Sequence, residues 1–159
     1  MSEHLQLIFT GQVRLAKNLL RDVLNRWLLG KPKSVNNIAN LVSTADAMAK
    51  AIREADIPSI GVRLADYWRQ KKNMCDAEPP AVTSMIGRLH ERDLIHGAEL
   101  TGAGGGGFLL VVTKKPRARA SLEAALEGMG VEFYDLAVDG EGLAVAIDGE
   151  VASEDELEV

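Results

Sequence analysis

Thr101-Gly102-Ala103-Gly104-Gly105-Gly106-Gly107 separates two strand-like runs, Ile95 to Leu100 and the apolar Phe108 to Thr113. Glycine loses more backbone entropy on folding than any other residue. Five glycines in six positions, Gly102 to Gly107, therefore need a backbone that takes positive φ or lies very close to a ligand. Successive N–H groups in such a segment form a concave, anion-binding nest. Gly102, Gly104 and Gly107 satisfy G-x-G-x-x-G, but that dinucleotide pattern opens a helix, and Phe108-Leu109-Leu110-Val111-Val112 reads as a strand. Gly102 and Gly107 also have the spacing of P-loop glycines, but Phe108 and Leu109 stand where a P-loop needs Lys and Ser/Thr. A flexible linker fits poorly, because the segment lacks serine and lies between two strand-like runs. The expected arrangement is strand, glycine loop, strand.

Upstream, Leu5-Gln6-Leu7-Ile8-Phe9-Thr10 reads as a strand ended by Gly11. Leu15, Leu19, Val23 and Trp27 recur every four residues, a helical period stopped by Gly30 and Pro32. Ser34 is the expected N-cap of a second helix, striped by Ile38, Leu41, Val42, Ala45, Met48, Ala49 and Ile52. Asp56 caps a third helix, with Ile60, Leu64 and Trp68 or Tyr67 facing inward, and Pro80 opens a fourth carrying Val82, Met85, Ile86 and Leu89. Downstream, Pro116 precedes a helix with Leu122, Ala125, Leu126 and Met129. Val131 to Val138 reads as a strand, Asp139-Gly140 as a hairpin turn and Leu143 to Ile147 as the return strand. The order β, four helices, ββ, α, ββ predicts an α+β domain. It is an elaborated ferredoxin-like (split βαβ) plan, with helices packed on a mostly antiparallel sheet. The expected domain spans residues 1–149, and the acidic stretch 150–159 is expected to be a disordered tail.

The chain has 159 residues, 47% of them hydrophobic, enough for one domain with a substantial core. The net charge of -5 argues against a nucleic-acid partner. No apolar run approaches the roughly 20 residues of a membrane span, and no signal-like segment follows Met1. Cys75 is the sole cysteine, so no internal disulfide forms. A cytoplasmic location is expected. His4, His90 and His96 match no zinc pattern and read as surface residues, and no metal site is assigned.

Three polar clusters remain. One is Thr10-Gly11-Gln12-Val13-Arg14 with Lys17 and Asn18, where a strand end meets a helix start. Another is Trp68-Arg69-Gln70-Lys71-Lys72, equally readable as a solvated, dipole-complementing helix end. The third is the glycine loop. Whether the fold brings them together is open at this level.

Leu100-Thr101-Gly102-Ala103-Gly104-Gly105-Gly106-Gly107-Phe108 resembles the third motif of the GHMP small-molecule kinases, the superfamily of galactokinase, homoserine kinase and mevalonate kinase. Phe9 to Asn18 and Tyr67 to Met74, followed by Glu78-Pro79, resemble fucose kinases, and heptose 7-phosphate kinases more weakly. Cys75-Asp76-Ala77 departs from the Pro-Gly-like turn usual before Glu-Pro. The resemblance, running from about Leu5 to Ile147, implies the C-terminal domain of a sugar kinase that makes a sugar 1-phosphate from ATP and a free sugar. It implies ATP with Mg2+ as cofactor. It also implies an N-terminal kinase domain, in the same parent chain or as a separate subunit, that carries the main phosphate loop. This chain contains no such loop and no placed catalytic acid, so no catalytic residue is assigned and the chain alone is expected to be inactive. By the resemblance, Thr101, Gly102, Ala103, Gly104, Gly105, Gly106 and Gly107 line the phosphate or sugar site. Arg14, Lys17, Asn18, Lys71 and Lys72 are secondary candidates. The alternatives are a stand-alone, non-catalytic binding domain of the same fold and a fragment of a heptose-phosphate kinase. An apolar open side, meant for the missing domain, is expected to drive homodimerisation.

Overall fold

The computed structural model describes residues 1–12, 17–30, 32–74, 79–102, 104–140, 146–147 and 150–151. After a 3-10 turn at Ser2–His4, strand β1 spans Leu5–Phe9. Helices α1 (Lys17–Leu28), α2 (Pro32–Arg53), α3 (Ile57–Met74) and α4 (Pro80–Glu91) follow. Then come β2 (Ile95–Leu100), β3 (Phe108–Thr113), α5 (Arg119–Ala125) and β4 (Glu132–Tyr134). A separate pair, β5 (Ala146–Ile147) and β6 (Glu150–Val151), closes the described chain. The main sheet has the order β2-β3-β1-β4, with every neighbouring pair antiparallel. This is the split βαβ order, with α1 to α4 forming the first crossover and α5 the second. The expected fold class therefore holds.

Period-2 alternation sends successive residues of β3 to opposite faces. Leu109 and Val111 join Ile8, Trp68, Val82, Met85, Leu89 and Leu122 in the larger core, beneath α4 and α5. Leu110 and Val112 turn the other way, toward Ala51, Ile60 and Leu64 of α2 and α3. Asp56 caps α3 as expected: its Oδ1 accepts from the Ser59 N–H at 3.1 Å and its Oδ2 from the Ser59 hydroxyl at 2.6 Å. These bonds hold the Asp56 carboxyl below its usual pKa. On α3 it is Trp68, not Tyr67, that is buried.

Where α3 crosses β2 the two backbones nearly touch. A Cβ on Gly97 would stand 1.9 Å from the Gly61 carbonyl oxygen, and one on Gly61 would stand 2.3 Å from the His96 Cβ. The register of β2 on β3 slips here, pairing Ile95 with Thr113 and Gly97 with Val112, so His96 is the extra residue of a bulge.

Several expectations are corrected. α2 opens at Pro32 rather than after Ser34, because proline at the first helical position has its φ preset and no N–H to satisfy. The apolar stripe of α2 is wider than its contact: Val42 and Ile52 are exposed. The strand expected over residues 131–138 is only Glu132–Tyr134, and at its end the buried Gln6 side chain donates to the Tyr134 carbonyl at 2.8 Å. Of the return strand expected over Leu143 to Ile147, only Ala146 and Ile147 are among the described residues, and they pair with Val151 and Glu150. Glu150 and Val151, where the tail was expected to start, belong to that ladder. Residues 152–159 lie outside the described residues.

Candidate functional site

The glycine-rich segment joins β2 to β3, and its mouth is pinned by threonines. The Thr101 N–H and hydroxyl both donate to the Phe108 carbonyl, at 2.8 and 3.0 Å. The Gly107 carbonyl accepts both the N–H and the hydroxyl of Thr10, each at 2.9 Å. The Gly107 N–H donates to the Gln12 carbonyl at 2.7 Å. The end of β1 is thus tied to the loop by backbone bonds, which a linker would not make.

The glycines are required by conformation. Gly102, Gly104, Gly106 and Gly107 have φ of 71°, 85°, 143° and 100°, a region that side chains strongly disfavour. Gly105 is not among these left-handed residues. Gly104 is also crowded: a Cβ there would lie 3.1 Å from the Trp68 ring and 3.6 Å from Cε of Lys71.

Trp68 and Lys71 of α3 form the floor. The Lys71 ammonium donates to the Leu100 carbonyl at 3.2 Å and lies 5.3 Å from the centre of the Tyr67 ring and 5.7 Å from that of Trp68. Lys72 lies 5.9 Å from the Trp68 ring. Such cation–ring contacts fix the position of a charge without neutralising it. The reading of Trp68 to Lys72 as a purely solvated helix end therefore fails. Trp68 is 4% exposed. Gln70 donates to the Thr44 hydroxyl at 2.9 Å and its carbonyl accepts from Asn37 at 2.6 Å.

Glu99, on β2 immediately before Leu100, completes this floor. Its Oε2 is buried without a hydrogen-bond partner. Burial raises its pKa, and the Lys71 charge opposes that rise. Burial also raises the Tyr67 phenol, with the Glu99 charge adding to it. Sequence reasoning missed Glu99, because a single glutamate in a strand is the ordinary signature of an edge.

The fold brings together Thr10 and Gln12 of the first cluster, Trp68, Lys71 and Lys72 of the second, and the glycine segment. Arg14 and Ala103 lie outside the described residues. Lys17 and Asn18 open α1, with side chains outside the description. The histidines sit elsewhere. His4 shares a 2.9 Å bond with the Thr113 carbonyl. His90 is exposed. His96 is half-buried, its pKa lowered first by burial and then by Lys114 and His4. Among the described residues no group of three His, Cys, Asp or Glu side chains is placed to hold a metal ion. No helix among them is long and apolar enough to cross a membrane.

Residues 48–132, just over half of the chain, match the family model of the GHMP kinases C terminal. The chain belongs to this family. It is 29% identical over 129 residues to a bifunctional fucokinase/GDP-fucose pyrophosphorylase of Arabidopsis thaliana, covering 80% of this chain and 12% of that protein. It is 31% identical over 121 residues to an L-fucokinase/L-fucose-1-P guanylyltransferase of Bacteroides fragilis, covering 76% of this chain and again 12% of the relative. The chain thus spans about an eighth of these relatives. Among solved structures, L. major mevalonate kinase in complex with R-mevalonate superposes with a TM-score of 0.62 at 18% identity, covering 77% of this chain and 37% of that one. The Lin0012 protein of Listeria innocua superposes at 0.67 and 12% identity, covering 82% and 38%. At these identities the two structures speak to the fold alone.

Proposed function

We propose that this GHMP domain is the C-terminal part of an ATP-dependent sugar kinase that phosphorylates a free, fucose-like sugar to its 1-phosphate. The convergence of the Thr10–Gln12 strand end, the Lys71 floor and four left-handed glycines on one segment carries the reading. Similarity to two fucokinases favours the sugar. In this account the amides of Gly104 to Gly106 face the phosphates of the nucleotide. Lys71, held by the Leu100 carbonyl and two rings, places a positive charge beside them. Phosphoryl transfer is mostly positioning and electrostatic stabilisation. Bound ATP supplies the phosphoryl group.

Mg2+ is ordinarily held by one or two carboxylates together with phosphate oxygens. The described residues offer Glu99 alone beside the segment, with one carboxylate oxygen buried and the Lys71 charge acting on it. Any metal ligands are therefore assigned to the partner domain. The exposed Leu24, Trp27, Leu28 and Leu29 at the end of α1 are offered as part of the surface that meets that domain. In its absence the same surface is expected to drive dimerisation, read by sedimentation velocity. A cytoplasmic location belongs to the same reading.

The test is an activity screen with ATP and free hexoses, heptoses and heptose phosphates, using the chain alone and joined to its N-terminal kinase part. Turnover of a free fucose-like sugar by the joined protein only is the expected result. Turnover by the chain alone overturns the two-part reading, and turnover with heptose phosphate alone moves the substrate.

A further inference from the structure

The opposite end of the sheet, where β2 begins and β3 ends, holds a second concentration of charge. The Lys114 N–H donates to the Leu94 carbonyl at 3.0 Å and joins the segment before β2 to the one after β3. Between them opens a cavity of about 340 Å3, lined among others by Arg92, Asp93, Lys114, Lys115, Arg117 and Ser121. Asp93 pairs with Lys114, and Glu3, outside the lining, pairs with Arg117. The Arg92 guanidinium donates at 3.1 Å to the Ala124 carbonyl, a neutral acceptor. Four cations therefore face two carboxylates, in a chain whose net charge is -5.

We propose that this cavity is a second anion site, built for a small molecule that carries a phosphate group. The Arg92 guanidinium and the Lys115 ammonium, which no carboxylate pairs with among the described residues, suit the oxygens of a phosphate, with the carboxylate-paired Lys114 and Arg117 beside them. The volume falls in the range of small-molecule pockets and leaves room for an organic body beside the anion. The acidic balance of the rest of the chain disfavours a long polyanion such as nucleic acid. The site lies across the sheet from the glycine-rich segment, so it stands or falls independently of the kinase reading.

The test titrates the 159-residue chain, labelled for amide NMR, at constant ionic strength with inorganic pyrophosphate, glucose 6-phosphate and sulfate. The expected result is saturable shifts at the amides of Arg92, Lys114, Lys115 and Arg117, with Kd below about 1 mM and no change at Gly104 to Gly107. Tighter binding of glucose 6-phosphate marks an organic phosphate as the ligand class, and tighter binding of pyrophosphate marks an inorganic one. The double variant R92Q/K115Q, both positions exposed, weakens binding about tenfold or more while its spectrum stays dispersed. Non-saturating shifts equal to those of sulfate overturn the proposal. So does unchanged affinity in the double variant, or a response confined to the glycine segment.

Discussion

Two sets of glycines do different work in this domain. Gly61 and Gly97 let α3 settle onto β2, and neither has a left-handed φ; what they supply is the missing Cβ, where 1.9 Å separates a hypothetical side chain from a carbonyl. Gly102, Gly104, Gly106 and Gly107 supply conformation instead, and at Gly102 and Gly107 a Cβ would meet nothing within 4 Å. The first set is solitary in sequence and indispensable to packing. The second is conspicuous in sequence and sits at the mouth of the proposed site. A glycine's importance to the fold and its visibility in the chain are thus nearly opposite here.

Substitution at the crossing of α3 and β2 should have the largest effect. Gly97→Val puts a branched side chain into backbone that cannot retreat without parting α3 from the sheet, so a loss of more than about 3 kcal/mol is expected, read as failure to fold in chemical denaturation. A cooperative, near-native transition would show that α3 slides freely on β2. Gly104→Ala comes next. It combines a φ of 85° with a Cβ 3.1 Å from Trp68, and should cost about 1–3 kcal/mol. Gly102→Ala isolates the conformational part, since its surroundings are open, and should cost about 1 kcal/mol. Equal melting of both variants and the parent would mean that the segment re-forms with other dihedrals.

The sequence carried the sheet, the long helices and the segment between β2 and β3, because strong periodicity and an improbable run of glycines are local signals. It carried less of what depends on contact between distant segments. Nothing local says that Gly97 faces Gly61, that Gln6 takes the Tyr134 carbonyl, or that Ala146 and Ile147 pair with Val151 and Glu150. Lys71 and Lys72 were legible as candidates, but their rings and carbonyl partner were not. Glu99 was invisible, because its burial follows from Lys71 and Tyr67 arriving on another element.

Glu99 offers the gentlest probe. Burial raises its pKa in the folded state, so ionisation opposes folding, and this unfavourable contribution grows as pH rises through the folded-state value. Glu99→Gln should therefore be slightly more stable than the parent at pH 7. The gap should close on acidification, once the carboxyl is protonated in folded and unfolded chains alike. Thermal melts from pH 3 to pH 8, within the ordinary carboxylate and neutral ranges, would show it. A gap that widens toward acid would mean that Lys71 outweighs burial.

In the proposed function the Thr101–Gly107 segment serves phosphoryl transfer rather than merely joining two strands. Gly105 tests it most directly, because it is not among the left-handed glycines, so a side chain there adds bulk without forcing that strain. Steady-state kinetics of Gly105→Val in the domain joined to its N-terminal kinase part, beside a thermal melt of the same protein, is the measurement. Turnover should be abolished while the melt stays within a few degrees of the parent. Near-parental turnover, or a collapsed melt that alone explains the loss, would contradict it.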